Sequence, residues 1–144
     1  MATTSAWLPW ALLSACFAAL TAIFAKVGLR GVDSDYATLL RTLIIACTLA
    51  PFVWIAGKWI NPLAVPPRSL LFIALSALAT GASWICYFRA LQVGDAYRVA
   101  PVDKLSVVLV VVLAFLILGE RPATRDWIAI LLIGSGVVLL ALKS

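Results

Sequence analysis

Trp84-Ile85-Cys86-Tyr87-Phe88-Arg89-Ala90-Leu91-Gln92-Val93-Gly94-Asp95-Ala96-Tyr97-Arg98-Val99-Ala100-Pro101-Val102-Asp103-Lys104-Leu105-Ser106 is the stretch on which the reading of the whole chain turns. It carries the charged residues Arg89, Asp95, Arg98, Asp103 and Lys104, yet it lies between two strongly apolar runs, residues 70–82 and 107–118. Charge is concentrated where two hydrophobic helices meet. If both runs cross a bilayer, Arg89, Asp103 and Lys104 sit inside or at the lip of the membrane. An ionisable group there costs about 3 kcal/mol or more unless it lines a wet cavity or is paired. This hairpin is therefore the leading candidate for a functional site.

Composition settles the class. The 144 residues are 65% hydrophobic and 12% charged, with no histidine, whereas a soluble domain carries about 25% charged residues. The chain reads as a polytopic membrane protein. Polar stretches between the apolar runs are only a few residues long, so a single compact bundle is expected and no soluble catalytic module. The net charge of +5 is no sign of nucleic-acid binding, because the Lys and Arg residues fall mostly at helix ends, where they meet headgroups. Cys16, Cys47 and Cys86 are odd in number, lie inside apolar runs and have no metal-ligand spacing. They read as small buried packing residues, and neither a metal site nor a cofactor is expected.

Working outward, five membrane helices are expected, at about residues 5–29, 35–56, 69–92, 96–118 and 125–142. The first is too long for a signal-peptide core and lacks a preceding basic region, so it reads as a retained span. Its Ala11, Ala15 and Ala19 repeat small side chains every fourth residue and form a close-packing face. Ala77 with Gly81, and Gly134-Ser135-Gly136, suggest two more. Lys26 and Arg30 suit the negative end of the first helix dipole. Asp33 or Ser34 is expected to cap the second helix and Gly57 to close it, while Thr124 is expected to cap the fifth. Prolines 62, 66 and 67 mark the longest connection, and Trp54 and Trp59 suit a membrane interface.

The charged candidates follow from depth. Arg41 lies six residues past Asp35, about 9 Å along the helix axis. Such a residue either snorkels to the headgroups or presents its cation to a cavity. Pro101 removes a backbone donor and releases a carbonyl one turn earlier, a break that a membrane helix tolerates against protein or water. Asp103 and Lys104 follow it, and because adjacent residues point about 100° apart, only one of them can face a cavity centre squarely. Arg41 and Lys104 are expected to face a polar interior. Asp103 is expected either to compensate a neighbouring cation, Lys104 or Arg41, or to carry a coupling proton. Asp33, Asp35, Asp95, Glu120 and Asp126 fall at helix ends, where capping accounts for them, and Glu120 is expected to pair with Arg121 or Arg125. Catalysis would need paired acid and base groups or an activated nucleophile, and these are missing, so no catalytic residue and no enzyme is expected.

The order of several short elements matches a known pattern. Lys26-Val27-Gly28-Leu29 closes the first helix, Arg41 lies in the second, and Tyr87 with Ala90-Leu91 closes the third. Pro101 and then Leu118-Gly119-Glu120 follow, with Trp127 through Gly136-Val137 in the last. With these, nearly the whole chain resembles one repeat of the EamA-like proteins of the drug/metabolite transporter superfamily. Val99-Ala100-Pro101-Val102-Asp103-Lys104-Leu105-Ser106 is similar to the single-repeat bacterial and archaeal branch. The resemblance implies an all-α, five-transmembrane-helix bundle in a prokaryotic inner membrane. Members of the superfamily typically carry two such repeats in inverted orientation around a central pathway and work by alternating access. One repeat therefore implies a homodimer, antiparallel or parallel, or a paralogous partner that supplies the second half.

The function expected is secondary transport of a small-molecule solute across the lipid bilayer, with Arg41, Trp84, Tyr87, Arg89, Pro101, Asp103 and Lys104 as pathway candidates. Arg41, Arg89 and Lys104 against Asp103 leave a formal excess of two positive charges, which favours an anionic or zwitterionic solute. The alternative is a non-transporting subunit that stabilises or regulates a larger complex. That reading fits an apolar bundle better than one with a charged hairpin. Lys58, Arg68, Arg121 and Arg125 fall on the side of the N-terminus; Lys26, Arg30, Arg98 and Lys143 fall on the other. Only Arg41, Arg89 and Lys104 would raise the second group to seven, a modest lean toward a cytoplasmic C-terminus.

Overall fold

The computed structural model describes residues 6–142, and their regular structure is helical throughout. Ser5, with which the first helix is expected to start, and Lys143, counted in the charge balance, lie outside these residues. The helices are α1 (Leu8–Gly28), α2 (Ser34–Ile55), α3 (Pro67–Val93), α4 (Ala96–Asp103), α5 (Ser106–Leu113) and α6 (Thr124–Ala141). A 3-10 turn, Pro62–Ala64, stands between α2 and α3, and a π turn, Ala114–Leu118, follows α5. Five stretches are long and apolar enough to cross a membrane: α1, α2, α3, the run Ala96–Leu118 and α6, of 18 to 27 residues. Helices are the economical answer to this composition, because in lipid every backbone N–H and C=O must find its partner inside the segment.

Hardly any of these spans is buried within the chain. Large apolar side chains such as Ile23, Leu78, Ile117 and Leu139 are exposed, the arrangement expected of an integral membrane protein whose outer faces meet acyl chains. For the same reason the three cysteines are not buried packing residues, as expected from their apolar surroundings. Each lies on an exposed helix face, since in a bilayer an apolar residue gains little by turning inward.

The chain divides into two compact units, each described by itself: Phe24–Val93, and residues 6–23 with 94–142. In the first, α2 and α3 pack against each other as an antiparallel hairpin. Asp33 caps α2, its Oδ1 accepting from the backbone N–H groups of Asp35 and Tyr36 at 2.9 and 3.0 Å. Gly57 follows the C-cap Ala56 with φ +65°, a conformation that glycine adopts without steric penalty. In the second unit, α6 packs against α4 and α5. Gly134 lies at this contact, where a Cβ would stand 3.5 Å from Val108 Cγ2, an ordinary van der Waals distance. Phe115 meets Trp127 edge to face at 6.2 Å. The other small residues do not serve as expected. A Cβ on Gly81 or Gly136 would meet nothing within 4 Å, and Ala11, Ala15 and Ala19 are exposed.

The fourth span departs most from expectation. It is not one helix over 96–118, because hydrogen bonding tightens to a three-residue spacing just after Pro101. Lys104 N–H donates to Pro101 C=O at 2.9 Å, Leu105 to Val102 at 3.0 Å, and Val107 to Lys104 at 2.9 Å. Proline cannot donate to Tyr97, and the backbone recovers by winding more tightly over the next turn. The span then widens into the π turn and stops at Gly119, whose φ is +68°. Two smaller corrections concern helix ends. Ala123, not Thr124, is the N-cap of α6, and the Asp126 carboxylate reaches back to its N–H at 2.8 Å. Glu120 forms no ion pair with Arg121 or Arg125 among the described residues.

Replacing Asp33 with Ala removes the acceptor for two N–H groups at the start of α2 and should cost about 1 kcal/mol. Equilibrium unfolding in mixed micelles measures the loss, and Asp33→Ser should restore most of it.

Candidate functional site

In the unit Phe24–Val93, the candidates converge on the α2–α3 hairpin. Arg89 lies near the end of α3 and Asp35 at the start of α2, and antiparallel packing brings them to the same level. Arg89 Nε donates to Asp35 Oδ1 at 2.9 Å and Nη2 to Oδ2 at 2.6 Å, a two-pronged ion pair. Asp35 is therefore not merely a residue at a helix end, as its position suggests. It neutralises Arg89, and with Asp35 counted the excess of two positive charges among the candidates falls to one. Two more links lie at this level. Lys26 Nζ donates to the Leu91 carbonyl at 2.6 Å, and Gln92 Nε2 donates to the Val32 carbonyl at 3.2 Å. The Leu91 carbonyl is among the last four of α3, which have no partner within their own helix. Lys26 thus acts at the negative end of α3 as well as at its own helix end. Leu91 itself is fully buried and Leu29 nearly so.

Further along the hairpin, Arg41 is half-buried and its guanidinium carbon lies 4.3 Å from the Trp84 ring centroid and 5.4 Å from that of Phe88. Trp84 and Phe88 are four residues apart on α3 and so share a face. Cation–π contacts of this kind are worth roughly 0.5–2 kcal/mol, more as water is excluded. No carboxylate among the described residues pairs with Arg41, and none supplies a hydrogen-bond acceptor to it. Tyr87 is half-buried and packs edge to face on Phe88 at 6.3 Å.

The remaining candidates, Pro101, Asp103 and Lys104, belong to the other unit. Lys104 Nζ lies 3.3 Å from Asp103 Oδ2, so the ion pair is made between neighbours in sequence at the break in the span. Of the two partners open to Asp103, it is Lys104 that it meets. Pro101 is half-buried inside α4.

Sequence reasoning missed Asp35, Lys26, Phe88 and Gln92. A usable signal exists for the first: Asp35 is the second residue of α2 and Arg89 the fifth from the end of α3, within one helical turn of each other in depth once the two helices are taken as antiparallel neighbours, a gap that the long arginine side chain can span. An open groove of about 540 Å³ lies elsewhere in this unit, lined by Ala50, Pro51, Trp54 and Trp59. It offers no charged or catalytic side chain. Among the described residues, no group of three His, Cys, Asp or Glu could hold a metal ion.

Comparison with known proteins bears on this arrangement. Residues 5–142 match the EamA-like transporter family. A Sinorhizobium protein described as an uncharacterized transporter in the cobO 3' region is 54% identical over 138 residues, covering 96% of this chain and 98% of that protein. No solved structure matches significantly.

The Arg89–Asp35 fork predicts non-additivity. Asp35→Ala and Arg89→Ala should each lower the melting temperature of the purified protein. The double variant should fall no further than the worse single one, because each single change already abolishes the pair.

Proposed function

The chain belongs to the EamA-like transporter family and is a membrane transporter; from that premise we propose that it is a secondary transporter of a small metabolite, working by alternating access as a homodimer. The observation that carries the reading is the broken fourth span. Backbone that leaves the regular helix inside a membrane needs protein or water around it, and so does a charged pair. The tight turn after Pro101 and the Asp103–Lys104 pair occur together, eight residues past Ala96, or about 12 Å along the axis. A transport pathway supplies that surrounding. Arg41, Trp84, Tyr87, Arg89, Pro101, Asp103 and Lys104 are the pathway residues of this reading, and no enzymatic step is assigned.

One consideration supports a dimer. The small-residue face of α1 at Ala11, Ala15 and Ala19 is exposed and suited to close helix contact. The nearly even split of Lys and Arg between the two sides is what insertion in both orientations requires, and an antiparallel pair reproduces an inverted repeat. The membrane proposed is a prokaryotic inner membrane, with a lean toward a cytoplasmic C-terminus. Reporter fusions at the C-terminus, read from both sides of the membrane, should show activity of both types. A single type would fix one orientation and leave a parallel dimer.

Transport itself is tested by screening a metabolite library for solutes that raise the melting temperature, since a ligand of the folded state must stabilise it. Solutes found in this way should exchange across proteoliposomes. Ligands that bind without any flux would favour a regulatory subunit.

Lys104→Ala should reduce flux by at least tenfold while the protein still accumulates and folds. Asp103→Asn leaves the Lys104 cation uncompensated and should lower the melting temperature, with the dependence of flux on a pH gradient retained. A stable variant that has lost that dependence would make Asp103 the coupling group instead.

A further inference from the structure

Beside the Arg89–Asp35 pair, the α2–α3 hairpin holds a second cation deep within its helices, Arg41, which no carboxylate among the described residues meets. Arg41 lies about 9 Å along the helix axis from Asp35, and its guanidinium carbon sits over the rings of Trp84 and Phe88 at 4.3 and 5.4 Å. An aromatic ring stabilises the charge but accepts none of the five N–H donors at the guanidinium edge. Among the described residues nothing else accepts them. Arg89, by contrast, has spent two donors on Asp35. A planar fork of donors that lies over an aromatic ring and faces no protein acceptor can recognise an oxyanion through two parallel hydrogen bonds.

Resting on the transport reading above, we propose that Arg41, oriented by Trp84, is the binding site for one carboxylate group, and that the solute is a small organic monoanion. Charge decides between oxyanions. One unneutralised cation balances one negative charge, whereas a phosphate monoester carries about −1.5 to −2 near neutral pH. A lipid phosphodiester is also a monoanion, so the experiment must separate a carboxylate solute from a headgroup.

The test uses the full chain, purified in a neutral maltoside detergent, with melting temperature followed against concentration. The probes are benzoate, isobutyrate, benzylammonium, inorganic phosphate and phosphatidylglycerol. Benzoate or isobutyrate should raise the melting temperature saturably. Benzylammonium should not, and phosphate should be at least tenfold weaker. Arg41→Gln should abolish the carboxylate shift. Arg41→Lys keeps the charge and loses the fork, and should weaken binding about tenfold; it carries the test if Arg41→Gln does not accumulate. No saturable shift with either carboxylate would overturn the proposal, as would an equal shift in the Arg41 variants. An Arg41-dependent response to phosphatidylglycerol alone would make Arg41 a lipid anchor and overturn it too. If carboxylate binding depends on Arg41 but no solute crosses proteoliposomes, the anion site stands and the transport reading falls.

Discussion

The two-pronged ion pair between Arg89 and Asp35 is the constraint that orders the hairpin holding most of the candidate site. Helices in lipid gain little from hiding apolar side chains against each other, so packing alone discriminates poorly between neighbouring registers. Polar links discriminate well, because a slip of one residue would rotate each partner by about 100° and leave it unpaired. Here Arg89–Asp35, Lys26 to the Leu91 carbonyl and Gln92 to the Val32 carbonyl all lie at one end of α2 and α3. With that end held, the antiparallel geometry leaves Trp84 and Phe88 opposite Arg41.

The broken span obeys a different logic. Its ion pair joins adjacent residues, Asp103 and Lys104, so it needs no tertiary contact to form and travels with the backbone wherever the span goes. Its break is equally local, arising from the missing donor of Pro101 and the tight hydrogen bonds that follow. Charge and backbone irregularity are thus coupled within a few residues. The hairpin, by contrast, obtains its neutral pair from residues 54 apart in sequence.

Neutralisation is the thread common to both units. Of the pathway candidates, Arg89 and Lys104 each meet a carboxylate, while Arg41 lies over aromatic rings.

What the sequence by itself determined is what depends on neighbours along the chain. The spans follow from hydropathy and length, and the cap at Asp33 and the glycine stop at Gly57 from local chemistry. The family is legible too, because its motifs are short and ordered along the chain. What only the tertiary structure decided is which side of each helix meets another. It assigned Arg89 to Asp35, Arg41 to Trp84 and Phe88, and Lys26 to the Leu91 carbonyl. It also placed the cysteines on exposed faces and left Gly81 and Gly136 without the close contact their size allows. In a soluble protein the alternation of polar and apolar residues would mark the inner face of a helix. In lipid the surroundings are as apolar as the packed interior, so that periodicity fades and only the folded hairpin shows which residues meet.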